Sequence, residues 1–418
     1  MKYDLIIIGG GPGGMAAAGE AKRLGWTVVI INGTILGGTC LQSGCMPTKA
    51  IYEFVKKGKD FKEVFGHGNN VVSTLKEMND GMRQNIDVID AKVTKIDSQF
   101  VYYGDEKLEY NKLMIATGSS PRLLPNIPED KLITNENFLE LTELPKKLAI
   151  IGGGYIGCEF ANIFANLGSN VEIFEMGEQI LLTEDKDVLK DVVKSFEDRG
   201  VQIHLNTPFN DSGFDKIFVA IGRVPNIEFL GDFIEINRGI KVDSRMKTSN
   251  ENIYAIGDCA SAPYRLAHVS SYEAKIAARN IAIDLAKVSE EDLLKSNLEL
   301  SMDYSAIPTR VFVDPLITGF GKHEKDLEEG SYVVGRSWFK SNGMPYCSGD
   351  LRGFVKVLVD KKTHCIVGAS ALGTVDLHSL GLAIKEKITI EKYCNLIHFH
   401  PGNQEIVLNA AKAALKQI

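Results

Sequence analysis

A chain of 418 residues is too long for one ordinary core, and two to four domains are expected. Its 44% hydrophobic and 24% charged content is that of a soluble globular protein. A formal net charge of −7, without a long basic run, argues against nucleic acid and anionic membrane as partners.

The chain opens Met1-Lys2-Tyr3-Asp4, followed by only four apolar residues, Leu5 to Ile8. That is too short for a signal-peptide core, and no later apolar run is long enough to span a bilayer. A cytoplasmic protein is expected. The seven cysteines are then read in a reducing compartment, where a disulfide is more often catalytic than structural. Five of them (Cys158, Cys259, Cys347, Cys365 and Cys394) are scattered singly and read as small buried hydrophobes.

Tyr3 to Ile8 has the pattern of a strand. Gly9, Gly11 and Gly14 follow in G-x-G-x-x-G spacing, with Pro12 inside it. An Ala-rich helical run from Met15 to Leu24 and a second apolar strand from Trp26 to Ile31 complete a βαβ dinucleotide fingerprint. Such glycines allow a tight turn and let backbone approach a pyrophosphate at a helix N-terminus. The acid expected after the second strand is replaced by Asn32. Its amide either hydrogen-bonds a ribose or merely opens a turn with Gly33.

Next comes Gly37-Gly38-Thr39-Cys40-Leu41-Gln42-Ser43-Gly44-Cys45-Met46-Pro47-Thr48-Lys49. In a regular helix, positions i and i+5 lie about 140° apart around the axis and about 8 Å apart along it. A disulfide wants its Cα atoms within about 7 Å. The pair could close only if the helix is distorted at Gly44; otherwise it is two buried free thiols. A helical run from Ala50 to Lys57 follows. Residues 58 to 90 are polar and helix-like in parts. Residues 91 to 117 alternate like short strands and end in an apolar run closing on Ala116-Thr117-Gly118, the mark of a strand that abuts a cofactor. Pro121, Pro125 and Pro128 then suggest a domain boundary.

From Leu148 the pattern repeats. A strand to Ile151 leads into Gly152, Gly154 and Gly157, with Tyr155 and Ile156 between the last two. A helical run to Leu167 and a strand from Val171 to Phe174 end at Glu175. Glu175 lies 23 positions after Gly152, the interval that also separates Gly9 from Asn32. Two fingerprints imply two dinucleotides. Glu175 suits the ribose hydroxyls of NAD and repels a 2′-phosphate, and no arginine follows it closely.

Ile217 to Arg223 is another apolar strand, closing on Gly222. Ile253 to Asp258 is a third, ending in Gly257-Asp258; this aspartate could bind a ribityl chain or cap the next helix. Helix signals run from His268 to Ala286. Residues 306 to 418 lack a phosphate loop and read as an α+β domain. Its expected strands are Thr309 to Val313, Phe354 to Asp360 and Ile366 to Ala371. Its expected helices are Leu377 to Lys385 and Gln404 to Lys416. His400, with Glu405 beyond it, is either a general base oriented by a carboxylate or only a loop residue beside Pro401.

These features, in this order, resemble the class I pyridine nucleotide-disulfide oxidoreductases, and within them the dihydrolipoamide dehydrogenase branch. The likeness covers nearly the whole chain. It rests on Gly9 to Gly14, Gly38 to Lys49, Ala116 to Gly118, Gly152 to Glu159, Ala220 to Asn226, Tyr254 to Asp258 and His398 to Glu405. It implies an α/β protein with two Rossmann-like dinucleotide-binding domains, for FAD and NAD, and a C-terminal α+β dimerisation domain. The FAD-binding domain is expected over 1–142 and 246–304, the NAD-binding domain over 143–245 and the dimerisation domain over 305–418.

By the same resemblance, Cys40 is the interchange thiol and Cys45 the thiolate facing the flavin. Lys49 and Glu159 form an ion pair beside the flavin, and Tyr155 covers the nicotinamide site. His400, oriented by Glu405, acts on the disulfide of the other subunit of a homodimer. FAD contacts are expected from Gly9, Gly11, Pro12, Gly14, Asn32, Gly38, Thr39, Lys49, Ala116, Thr117, Gly118, Gly257, Asp258 and Ala267. NAD contacts are expected from Gly152, Gly154, Tyr155, Ile156, Gly157, Glu175 and Gly222. No metal is expected. The substrate implied is a dihydrolipoyl group on a partner protein, with a small disulfide as the alternative and a non-enzymatic flavoprotein redox sensor as a rival. Asn32 stands where the family has glutamate, Gly402 where it commonly has threonine, and Asp376 to Leu380 depart from its pattern. The segment Asn206 to Asp215 is far shorter than in typical members.

Overall fold

The computed structural model describes residues 3–211 and 213–418. Met1, Lys2 and Ser212 (the last within the shortened segment) lie outside the described residues. The chain divides into two compact units. One is Met1–Pro125, Ile133–Glu143 and Ile221–Asp303; the other is Asn126–Leu132, Leu144–Ala220 and Tyr304–Ile418.

In the first unit, β1 (Leu5–Ile8) is fully buried and leads into α1 (Pro12–Arg23). Pro12 suits the first helical position, where its missing N–H costs nothing. β2 (Val28–Ile31) returns parallel to β1. Two helices, α2 (Gly38–Gln42) and α3 (Cys45–Lys56), precede α4 (Phe61–Asp80), whose start is secured by a capping box of Asp60 and Glu63. β3 (Asp87–Ile89) joins the sheet edge, and β4 (Val93–Ile96), β5 (Phe100–Tyr103) and β6 (Glu106–Glu109) form an antiparallel meander. β7 (Lys112–Ile115) comes back beside β1, and β8 (Ser119–Pro121) follows. One core joins Ile6, Ile8, Val29 and Ile31 of the parallel sheet to Val93, Ile96 and Val101 of the meander.

Further along, β9 (Leu132–Ile133) precedes the second dinucleotide copy. That copy is β10 (Lys147–Ile151), α5 (Tyr155–Leu167), β11 (Asn170–Glu175), α6 (Lys186–Asp198), β12 (Gln202–Leu205) and β13 (Lys216–Val219). The chain then re-enters the first unit with β14 (Arg223–Pro225), which pairs with β8, and β15 (Ile253–Ala255), which pairs with β7. α7 (Ala267–Asp284) and α8 (Glu290–Lys295) close that unit. Four strands of the two parallel sheets follow the same order, β3-β2-β1-β7 in the first and β12-β11-β10-β13 in the second; the fifth position is taken by β15, which comes last in the chain, and by β9, which comes before the other four.

The copies differ where the chain is shortened. Between β12 and β13 the described residues hold no counterpart of the meander. Phe209 and Phe214 instead close on Phe174, with ring centroids 5.3 and 5.9 Å away and nearly perpendicular planes. His204 stacks on the same ring at 4.7 Å. Four aromatic rings thus do with one short loop part of what three strands do in the first copy.

The C-terminal part holds β16 (Pro308–Val311), β17 (Ile317–Gly321), β18 (Tyr332–Trp338), α9 (Gly343–Ser348), β19 (Phe354–Asp360) and β20 (Ile366–Leu372). α10 (His378–Lys385), α11 (Ile390–Cys394) and α12 (Gln404–Leu415) follow. The strands make one antiparallel sheet in the order β16-β17-β20-β19-β18. Its core unites Val355, Val357 and Ala369 of the sheet with Leu380 of α10 and Ile406 and Ala410 of α12. β17 and β18 were not expected, because glycines interrupt both. Gly335 is needed for packing: a Cβ there would lie 2.1 Å from the Ala410 carbonyl oxygen of α12. The aspartate of the Gly257-Asp258 pair also lies outside its expected strand, in the short 3-10 turn Gly257–Cys259 after β15.

Candidate active site

The two glycine loops are built alike. Gly9 and Gly152 have φ of 106° and 101°, a region that favours glycine. A Cβ on Gly14 would lie 1.9 Å from the Gly9 carbonyl oxygen, and one on Gly157 would lie 1.9 Å from that of Gly152. These glycines let helix and strand pack. Gly11 and Gly154 are different: their backbone is ordinary (φ −73° and −74°), and a Cβ on either would meet nothing within 4 Å. The chain itself does not require glycine there. A phosphate group drawn up to the helix N-terminus does, so both loops fit a dinucleotide pyrophosphate.

Each loop is held by the residue ending the second strand. Gly10 N–H donates to Asn32 Oδ1 at 2.9 Å, and Gly153 N–H donates to Glu175 Oε2 at 2.7 Å. Asn32 is buried, and its amide nitrogen donates to the Thr34 carbonyl oxygen. Both expected readings of Asn32 omit this brace on the glycine loop. Glu175 accepts a second bond from Gly177 N–H at 2.6 Å; each carboxylate oxygen still has a lone pair for a ribose hydroxyl.

The cysteine stretch sits on the first glycine loop. Gly37 N–H donates to the Gly10 carbonyl oxygen at 2.7 Å, and a Cβ on Gly38 would lie 2.9 Å from Gly11 Cα. The helix does break where the spacing required it. α2 stops at Gln42, Ser43 and Gly44 leave helical geometry, and α3 begins at Cys45. Gly44 has room only for hydrogen, since a Cβ would meet the Thr39 carbonyl oxygen at 2.9 Å. Both cysteines are thiols here, Cys40 half-buried and Cys45 exposed. The hydrogen bond to Cys45, with burial and the neighbouring sulfur charge, pushes the Cys40 thiol well above its ordinary range, while Lys49 pulls the other way.

Other residues expected to meet FAD lie in the same unit. Thr117 and Asn226 exchange hydrogen bonds, Thr117 Oγ1 to the Asn226 carbonyl at 2.7 Å and Asn226 Nδ2 to the Thr117 carbonyl at 3.0 Å. Gly118 has φ of 68° and open surroundings. Asp258 accepts from Ser119 Oγ at 2.6 Å, and Arg223 donates to the same hydroxyl at 2.7 Å. Gly257 N–H donates to the fully buried Glu273 carboxylate at 2.7 Å. Ala267 is the first residue of α7, and Thr39 lies in the first turn of α2. Gly222, expected to meet NAD, also falls in this first unit and not with the other NAD residues; it has φ of 99° with open surroundings.

In the second unit, Tyr155 and Ile156 open α5 after Gly154. Glu159 is buried in that helix and accepts from Phe312 N–H at 3.1 Å. His400 Nδ1 and Glu405 Oε1 are 3.0 Å apart, so Glu405 orients an imidazole that is otherwise exposed. The bond to His400 holds the Glu405 carboxyl below its ordinary range. Three features escaped the sequence reading. Tyr155 is tied to Thr183 and Glu184. Lys356, fully buried in β19, places its ammonium 2.6 to 2.8 Å from Asp185, Asp187 and Glu324. Arg336 joins the last two carboxylates. A lysine within an otherwise apolar strand, and the acidic run Glu184-Asp185-Lys186-Asp187, were the only visible signals.

Residues 3–274 match the family model for pyridine nucleotide-disulphide oxidoreductases, and residues 307–411 match the dimerisation domain of the same family. The chain is 33% identical to dihydrolipoyl dehydrogenase of Bacillus subtilis over 99% of its own length and 97% of that protein's. It is 30% identical to the dihydrolipoyl dehydrogenase of Haloferax volcanii, over 99% and 96%. Among solved structures, the HOCl-induced flavoprotein disulfide reductase RclA of Escherichia coli, as its Cu(II) complex, superposes with a TM-score of 0.85 at 28% identity, covering 97% of this chain and 98% of that one. LpdA of Mycobacterium tuberculosis shares the fold with a TM-score of 0.85 at 21% identity, over 99% of both chains. With two dinucleotide loops, a dithiol on the first of them and both family models matched, the chain belongs to the pyridine nucleotide-disulphide oxidoreductase family and is a flavoprotein disulfide oxidoreductase with a C-terminal dimerisation domain.

Proposed function

We propose that the protein is a dihydrolipoamide dehydrogenase, moving two electrons from a dihydrolipoyl group on a partner protein to NAD⁺. The observation that carries this reading is the Cys40–Cys45 dithiol at the break between α2 and α3, seated on a glycine loop. FAD, held by Gly9, Gly11, Pro12, Gly14, Asn32, Gly38, Thr39, Lys49, Ala116 to Gly118, Gly257, Asp258 and Ala267, supplies the coupling between a two-electron dithiol and a hydride carrier.

The rest is done by the chain. With the pair oxidised, a substrate thiolate attacks Cys40, forming a mixed disulfide and releasing Cys45 as thiolate. The second substrate sulfur then displaces Cys40, closing the substrate disulfide. His400, oriented by Glu405, accepts the substrate thiol protons, since thiolate and not thiol is the nucleophile. The dimerisation domain implies a homodimer; in our reading each His400 serves the cysteines of the other subunit, so an isolated monomer is close to inactive. Lys49 and Glu159 serve as the ion pair beside the flavin. NAD lies on Gly152, Gly154, Tyr155, Ile156, Gly157, Glu175 and Gly222. We assign 1–142 and 246–304 to the FAD domain, 143–245 to the NAD domain and 305–418 to the dimerisation domain. Among the described residues no helix is long and apolar enough to cross a membrane, and we place the protein in the cytoplasm.

A second reading, an NAD(P)H-consuming reductase of a small disulfide, is favoured by the end-to-end match to RclA. One assay separates them: purified protein with FAD is offered dihydrolipoamide with NAD⁺, then glutathione disulfide and lipoamide with NADH or NADPH. Rapid NAD⁺-dependent oxidation of dihydrolipoamide, abolished in Cys40→Ser and Cys45→Ser, supports the first reading. Turnover confined to a small disulfide supports the second. Under anaerobic NADH, a long-wavelength charge-transfer band is expected in the wild type and not in Cys45→Ser.

A further inference from the structure

Glu273, in the middle of α7, is a fully buried acid that the proposed chemistry does not use. A carboxylate taken out of water is costly unless hydrogen bonds compensate it. Gly257 N–H donates to Glu273 Oε2 at 2.7 Å, the short length of a charge-assisted bond.

Gly257 opens the 3-10 turn that carries Asp258. Its φ of 67° lies in the left-handed region, and a Cβ on it would lie 2.5 Å from Ser270 Oγ. Glycine is required there, and glycine is the residue that restrains its own backbone least. The turn therefore takes its rigidity from its neighbours. Ser119 Oγ holds the Asp258 side chain at 2.6 Å, and Glu273 holds the peptide that precedes it.

α7 also meets the first glycine loop. A Cβ on Gly13 would lie 2.2 Å from Ser270 Oγ, and Ser271 Oγ donates to the Pro12 carbonyl at 3.3 Å. Ser270 thus sits against both Gly13 and Gly257, and Glu273 follows about one helical turn later. All these residues belong to the first unit. One helix sets the Asp258 turn against the glycine loop.

We propose that Glu273 is a positioning residue for FAD, whose buried carboxylate grips Gly257 N–H and so holds Asp258 in place relative to the first glycine loop. The inference rests on the reading of that loop and of Asp258 as FAD contacts, and adds a residue that acts through Asp258.

The physical basis is the chemistry of the acceptor. An ionised carboxylate accepts on both oxygens, so no rotation of the group turns a donor toward the N–H. Breaking the bond strands a charged acceptor and a backbone donor where water does not reach the carboxylate. Both penalties oppose rotation of the Ile256–Gly257 peptide, and with it any drift of Asp258.

The test is a double-mutant cycle on the holoenzyme. The rate of FAD release is followed by ultrafiltration of free flavin for wild type, Glu273→Ala, Glu273→Gln, Asp258→Ala and the Glu273→Ala/Asp258→Ala double variant. Urea midpoints are taken by circular dichroism at saturating FAD. Glu273→Ala should release FAD at least about tenfold faster, the loss of one charge-assisted hydrogen bond. Glu273→Gln keeps an acceptor of the same shape and should stay within about threefold of wild type. In the Asp258→Ala background the Glu273→Ala change should add no more than about twofold, because the residue acts through Asp258. Where Glu273→Ala does not fold, Glu273→Asp, which keeps the charge but withdraws it from Gly257, takes its place in the cycle. Unchanged release, a Glu273→Gln as fast as Glu273→Ala, or equal acceleration with and without Asp258 overturns the positioning role and leaves the FAD site intact. A lower urea midpoint with unchanged release marks a purely structural acid and overturns it too. A wild type that takes up no FAD overturns the parent reading and this one with it.

Discussion

Gly154→Ala, with Gly157→Ala as its control, separates a glycine kept for a ligand from a glycine kept for the fold. At Gly154 a Cβ meets nothing within 4 Å, and the backbone (φ −74°, ψ −172°) is one that alanine adopts freely. The stability cost is only that of a poorer helix cap, up to about 1 kcal/mol. At Gly157 a Cβ would lie 1.9 Å from the Gly152 carbonyl oxygen, where ordinary contact begins at 3.4 Å. Strand and helix must move apart, and overpacking of that kind costs about 1–3 kcal/mol or more. Binding should show the reverse contrast. In our reading of this loop as the NAD site, a Gly154 methyl would stand where the pyrophosphate approaches the first N–H groups of α5, so NAD⁺ affinity should fall at least about tenfold, the value of one lost charge-assisted hydrogen bond. The assay is paired: urea midpoint by circular dichroism, and NAD⁺ affinity by calorimetry. A Gly154→Ala protein that is as stable as wild type and binds NAD⁺ equally well would refute the assignment of this loop as a phosphate cradle.

Three further outcomes are expected. Lys356→Met leaves Asp185, whose side chain is 7% exposed, buried without its cation, and should lower unfolding free energy by about 3–5 kcal/mol; adding Asp185→Asn should recover part of that loss in the same urea titration. Phe214→Ala opens the aromatic cluster that stands in for a meander and should cost about 3–5 kcal/mol, with early proteolysis between β12 and β13 as an independent readout. In the reduced protein, Cys40 is held protonated chiefly by its bond to Cys45, so Cys45→Ala should lower the pH at which Cys40 is alkylated by iodoacetamide, since thiolate forms earlier once that bond is gone; an unchanged alkylation profile would show that burial alone controls the thiol.

What the sequence by itself determined is local. Each glycine loop lies between a strand and a helix within one short segment, so its turn, its helix start and the 23-residue interval to Asn32 or Glu175 were all legible. The break at Ser43–Gly44 was legible as well, because helical geometry alone makes the spacing of Cys40 and Cys45 awkward. Only the tertiary structure decided the rest. Gly335 looks like a strand breaker until α12 packs on it. The Phe174, Phe209 and Phe214 rings meet because the shortened loop folds back over the sheet. Lys356 finds Asp185 from 171 positions away, and Tyr155 finds Glu184 from 29. Pattern reading works over distances set by one turn or one strand. Charges and phenols that choose partners across the fold do so through burial, which no local pattern records.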